Sequence, residues 1–166
     1  SIQYASRTAK GIVVCDAVST LKAGRLFSSF PYINILKPNL MELEYLSGVK
    51  TTDEKSVRDA GFALIEKGVG TVVATAGENG AYYITPNSFI HAYGDKLDVK
   101  NTNGAGDSFL SGFVFALSEG LDEKDSLKMA LSASRITIME ENTVSNNIEG
   151  DILYKLSKEI KVEEVS

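Results

Sequence analysis

Short apolar runs rich in β-branched residues alternate along the chain with stretches whose apolar positions recur every three or four residues. The first pattern predicts buried strands at 11–15, 32–36 and 70–75. The second predicts helices. A short one falls within 19–30, and another begins at Asn39, runs to Leu46 and stops at Gly48. In the next, Thr51 and Glu54 have capping-box spacing, Val57, Ala60, Gly61, Leu64 and Ile65 share one face, and Lys67 and Gly68 end it. The run 70–75 is apolar on both faces, as in a parallel strand covered on both sides. Glu78-Asn79-Gly80 supplies turn chemistry ahead of two short strands at 81–84 and 88–93. Residues 104–117 form a helix that is apolar nearly all round, which calls for neighbours on several sides. Two more helices are predicted, at 123–139 with Asp122 as its cap and, polar-faced, at 151–160. This alternation gives an α/β fold with a mainly parallel sheet flanked by helices.

Composition changes that picture little. With 166 residues, 43% apolar and 23% charged, the chain has the balance of one ordinary globular domain. No repeat or linker divides it, so 1–166 reads as a single α/β portion. The net charge of -5 and the absence of a basic run argue against nucleic acid. No apolar stretch approaches a membrane span and no signal peptide opens the chain, so a cytoplasmic location is expected. The start, Ser1-Ile2-Gln3-Tyr4, lacks a methionine, and a fragment is expected. One cysteine and one histidine exclude a disulfide framework and a Cys/His zinc site. Cys15, in Ile12-Val13-Val14-Cys15, is expected to be a buried strand residue. His91 has no acidic or hydroxyl neighbour in Phe89-Ile90-His91-Ala92-Tyr93 that would make it a base, and is expected to be a strand residue without a catalytic role.

The chemistry concentrates in Asn101-Thr102-Asn103-Gly104-Ala105-Gly106-Asp107-Ser108-Phe109. Gly104 and Gly106 let the backbone approach a ligand closely, and the helix that follows adds partial positive charge at the same spot. Asp107 falls in the first turn beside this anion hole. The residues also suit an ordinary helix start, because the dipole alone favours a first-turn carboxylate. Phe109 stands where a dinucleotide fingerprint needs its third glycine, and no P-loop motif exists.

Gly104-Ala105-Gly106-Asp107, opening a long apolar helix after Asn101-Thr102, resembles the signature of ribokinase-like PfkB carbohydrate kinases. The resemblance implies transfer of the γ-phosphoryl of ATP to a hydroxyl of a sugar or nucleoside. It implies Asp107 as general base and the amides of Gly104, Ala105 and Gly106 as the holders of transition-state charge. Lys37-Pro38-Asn39-Leu40-Met41-Glu42 resembles the family's N-x-x-E motif, which organises magnesium and phosphate. Asn39 and Glu42 are equally spaced as a helix capping pair, and the two roles are compatible. Thr75-Ala76-Gly77-Glu78-Asn79-Gly80 resembles the loop under the ATP phosphates, which implies nucleotide contacts at Thr75, Gly77 and Gly80 beside Asn39 and Gly106. On its own it is a hairpin turn.

These segments together span essentially the whole chain, which corresponds to the C-terminal half of a full member. Within the family, Asp16-Ala17-Val18-Ser19 with Lys22, then 36–48, is most similar to pseudouridine kinases. Asn101 takes the place of the family's usual aspartate, and Asn103 that of a usual threonine, where many relatives help bind a monovalent cation. Potassium dependence is thereby opened to question. The adenine-contacting position falls near Leu131 or Ser132. A small-molecule acceptor is implied, with a possible homodimer formed through the N-terminal half. A nucleotide-binding fragment or regulatory module without catalysis is the alternative.

Overall fold

The computed structural model describes residues 2, 11–17, 24–97, 103–139 and 150–165. Its strands are β1 (Val14–Asp16), β2 (Ile35–Lys37), β3 (Thr71–Thr75), β4 (Ala81–Thr85), β5 (Ser88–Tyr93) and β6 (Lys161–Glu164). Its α-helices are α1 (Leu40–Ser47), α2 (Glu54–Glu66), α3 (Ala105–Ser118), α4 (Glu123–Met139) and α5 (Gly150–Ser157). The six strands lie in one sheet in chain order. β1, β2 and β3 pair in parallel, whereas β6 pairs with β5 in antiparallel register, so the sheet is mixed. The described residues fall into two compact units, one holding those up to 76 and 82–89, the other those of 77–81 and 90–165. Among them, no helix is long and apolar enough to cross a membrane.

In the first unit, strand and helix alternate because short continuous apolar runs give way to apolar positions every three to four residues. Leu36, Leu43, Leu64, Val72, Ala74 and Ile84 are all fully enclosed. Each such leucine contributes about 1.5–3 kcal/mol relative to leaving it in water. Thr75 N–H donates to the Pro38 carbonyl at 2.9 Å, and a bridge pairs Asn39 with Thr75, so the end of β3 is tied to the start of α1. Gly61 is required where α2 lies on Ile84, since a Cβ there would overlap that side chain.

In the second unit, α3 and α4 pack closely. A Cβ on Gly112 would sit 2.7 Å from the Ala133 Cβ and 3.0 Å from the Met129 carbonyl oxygen, so only glycine permits this approach. Ala116, Met129, Ala133, Ile136 and Leu153 form the cluster beneath.

Several expectations are corrected. The helix expected within 19–30 is a 3₁₀ segment, Gly24–Tyr32, of which 19–23 lies outside the described residues. The first strand is shorter than 11–15, with Ile12 61% exposed, and the second begins at Ile35 because the 3₁₀ segment claims Tyr32. Cys15 is only half-buried. The cap of α2 is Asp53, not Thr51: the Asp53 carboxylate accepts the Ser56 N–H at 2.8 Å, and Ser56 Oγ accepts the Asp53 N–H at 3.0 Å. Thr51 instead donates both its N–H and its hydroxyl to Glu44 Oε1, at 2.8 and 2.9 Å. The final helix stops at Ser157, and the chain returns as β6, whose Lys-Val-Glu-Glu sequence is too polar and short to read as a strand. The helix apolar all round has a buried face of Ala105, Phe109, Gly112, Phe113 and Ala116, but leaves Val114 and Phe115 exposed.

Candidate active site

α3 starts abruptly. Its N-cap is Gly104 at φ 77°, a left-handed conformation that L side chains rarely adopt, and among the described residues no side-chain cap bond is made at this N-cap. A helix start of this kind has first-turn amides that no carbonyl within the helix accepts. Asn103, Gly104, Gly106 and Asp107 are exposed there, while Ala105 is buried as the anchor of the turn. Behind this turn, Thr137 of α4 donates from Oγ1 to Ser108 Oγ at 2.6 Å, and its methyl carbon would lie 3.7 Å from a Cβ on Gly104. The start of α3 is thus braced by α4 through Thr137. Its dipole and orphan amides suit a phosphate, and the carboxylate of Asp107 stands in the same turn.

In the same unit, Gly77 and Gly80 bound a one-turn 3₁₀ segment, Gly77–Asn79, that follows Ala76. Both have positive φ, 59° and 88°, and the Gly80 N–H closes the turn on the Gly77 carbonyl at 3.1 Å. Gly77, Glu78 and Asn79 are exposed.

In the other unit, Asn39, Glu42 and Thr75 are brought together. Asn39 Oδ1 accepts the Glu42 N–H at 2.9 Å, and Glu42 Oε2 accepts the Asn39 N–H at 2.8 Å. This is a complete capping box for α1. Glu42 is nearly enclosed, at 5% exposure, yet each of its carboxylate oxygens can accept more than one hydrogen bond. Its hard oxygens fit a magnesium ion held through water, since the box already occupies part of the donor set.

Two features escaped sequence reasoning. Lys37 and Asp16 end neighbouring parallel strands and form an ion pair of 3.1 Å, with the lysine 7% exposed. Both polar residues close apolar runs at the carboxyl end of the strands, the side on which open α/β sheets bind ligands. Burial pushes the adjacent Cys15 thiol above its ordinary pKa, and the Asp16 carboxylate adds to the effect. His91 is a strand residue as expected, but it does have an acidic neighbour: β6 carries Glu163 opposite it, with Oε1 3.7 Å from Nδ1. Local sequence could not reveal a neighbour 72 positions away by numbering. Leu131 and Ser132 are buried, the serine hydroxyl donating to the Lys128 carbonyl at 2.8 Å. Asn101 lies outside the described residues.

Residues 2–149 match the model of the pfkB family carbohydrate kinases. The chain belongs to that family. Over 109 residues this pfkB-family chain is 35% identical to ribokinase of Staphylococcus aureus, an alignment covering 65% of the chain and 36% of the relative. Over 132 residues it is 33% identical to 1-phosphofructokinase of Borreliella burgdorferi, covering 79% and 42% respectively. Its fold matches the crystal structure of ribokinase from Thermotoga maritima with a TM-score of 0.79 at 25% identity, across 93% of this chain and 52% of that one. The chain spans less than half the length of these curated relatives.

Proposed function

We propose that the chain, as one nucleotide-binding and catalytic portion over 1–166, serves an ATP-dependent kinase that phosphorylates a hydroxyl of a sugar or nucleoside. The observation that carries this reading is the uncapped start of α3 with Asp107 in its first turn, in a chain of the pfkB family. The amides of Gly104, Ala105 and Gly106 receive the charge that develops on the transferring phosphoryl oxygens. Asp107 accepts the proton of the attacking hydroxyl. A strong base is not needed, because phosphoryl transfer has a loose transition state and depends chiefly on positioning. The 77–80 turn and Thr75 would take the remaining phosphates, and Glu42 and Asn39 are the residues that would hold magnesium. Bound there, magnesium neutralises phosphate charge.

Asn101 lacks the carboxylate that helps attract a monovalent cation in many relatives, and Asn103 stands where a threonine is usual, so the assays are run with and without potassium. The acceptor proposed first is pseudouridine, on the strength of the stretch 16–48. Ribokinase and 1-phosphofructokinase among the relatives put ribose and phosphorylated fructose on the same panel.

Hydrogen exchange with and without Mg-ATP tests the nucleotide reading. Amides in 77–80 and 104–107 should slow at saturating nucleotide, and unchanged exchange in both segments of a folded sample would overturn it. Steady-state assays of the complete gene product should then rank pseudouridine above ribose, fructose and adenosine. A tenfold preference for a hexose would discard the nucleoside arm alone.

A further inference from the structure

The roles assigned above leave His91 unused, although it is 9% exposed and makes a specific polar contact. Its Nε2 lies 2.7 Å from the carbonyl oxygen of Asn79. A carbonyl only accepts, so the ring proton sits on Nε2 and the imidazole donates to the turn. The next residue is held to the same strand by packing. A Cβ on Gly80 would overlap the Ala92 carbonyl oxygen and lie 3.0 Å from the Tyr93 Cα. Two consecutive residues of the turn are thereby pinned to β5, one by a directed hydrogen bond and one by close backbone approach. The ring itself is held from two sides. Tyr93 packs tilted against it at 5.0 Å between centroids, and Glu163 of β6 faces Nδ1.

A histidine that only filled the core would satisfy its nitrogen within the sheet. This one spends its N–H on the carbonyl of an exposed turn, so losing that bond falls first on 77–80. We infer that His91 is a positioning residue that holds the 77–80 turn in the shape that takes the ATP phosphates, an inference resting on the nucleotide reading of that turn. A turn held in advance need not be ordered at the expense of nucleotide affinity.

The test uses the complete gene product with His91→Phe, which keeps ring bulk without the N–H, and His91→Gln, whose amide can donate. His91→Phe should raise the KM for ATP by about three- to tenfold, the worth of one net hydrogen bond, while the acceptor KM stays within about twofold. Amides of 78–80 should exchange faster, those of 104–118 should not, and His91→Gln should recover at least half of the KM change. A His91→Phe protein that melts earlier but keeps the wild-type ATP KM and turn exchange overturns the inference and makes His91 a packing residue. If His91→Phe does not fold, Gly80→Ala disturbs the same anchorage from its other contact and should reproduce the selective ATP effect; an unchanged ATP KM there is equally fatal. Wild-type protection of 77–80 by Mg-ATP separates the two levels. With protection present, a silent His91→Phe sinks only the positioning role; with protection absent, the nucleotide reading falls and takes this inference with it.

Discussion

Two helices of this chain begin in opposite ways. α1 is closed by its own side chains, since Asn39 and Glu42 exchange hydrogen bonds with each other's backbone amides. α3 begins at a left-handed glycine with no side-chain cap. A capping box stabilises a helix for its own sake. An open start forgoes that stabilisation, typically about 1 kcal/mol, and leaves its amides and dipole for an external anion. The contrast separates a helix start closed by a capping box from one that begins at a bare glycine, although both carry a first-turn carboxylate. The position of the carboxylate differs accordingly. Glu42 is buried and bonded within the box, whereas Asp107 is exposed.

The sharpest way to break this comparison is Asp107→Asn, which keeps the shape of the turn and removes proton acceptance. Turnover should fall by roughly 10²–10⁴-fold, the usual range for a general base, with ATP affinity unchanged or slightly improved. If Asp107 served only the helix dipole, the change would instead appear as a loss of about 0.3–1 kcal/mol in stability. Steady-state kinetics beside a melting curve decides between them, and a variant keeping more than half its turnover ends the catalytic assignment.

Gly104→Ala comes next. Among the described residues only the Thr137 methyl lies within 4 Å of the new Cβ, so the obstacle there is the positive φ rather than space. The strain should amount to about 1–2 kcal/mol and appear both as destabilisation and as weaker nucleotide binding. Gly48→Ala is the matched control, because Gly48 has φ 81° at the end of α1 and nothing within 4 Å. It should lose similar stability in denaturant titrations while nucleotide affinity stays put. Equal effects on affinity would show that the start of α3 has no special claim on the anion.

Asn39→Ala removes half of the capping box and should cost about 0.5–2 kcal/mol in stability. Glu42→Gln keeps an acceptor oxygen for the box but loses the charge, so the magnesium concentration for half-maximal activity should rise several-fold at nearly constant melting temperature. An unchanged magnesium requirement would leave Asn39 and Glu42 as a cap and nothing more.

The smallest effect concerns acid. Hydrogen bonds from Ser56 hold the Asp53 carboxyl below its ordinary range, and bonds from the Thr51 amide and hydroxyl do the same for Glu44. A lowered folded-state pKa means that the native state binds the proton less readily than the unfolded chain. The stabilisation is therefore present above the unfolded carboxylate values and lost as pH falls through the folded ones. Urea midpoints should drop modestly below about pH 4.5, and Asp53→Asn should flatten part of that drop.

Much of the fold was legible because its signals are local. Apolar periodicity placed α2 and α4, β3 and β5, and the Asn39 start and Gly48 stop of α1. The glycines of 104–106 and the aspartate after them marked the start of α3, and the family they resembled is the family whose model matches the chain. Boundaries failed where two local choices compete, as at Asp53 against Thr51, since both residues can cap and only packing of Thr51 onto Glu44 decides.

What the sequence alone determined was most of the order of strands and helices up to residue 139, because periodicity, capping and glycine conformation act within a few residues. Tertiary structure decided everything that depends on strands distant in number meeting in space. It made a strand of 161–164 by pairing it with β5, placed Glu163 beside His91, joined Lys37 to Asp16 across β1 and β2, and set Thr137 behind the start of α3. Such contacts carry no local signature, because each partner alone satisfies an ordinary exposed or strand pattern and only the shared sheet or helix pair brings them within a few ångströms.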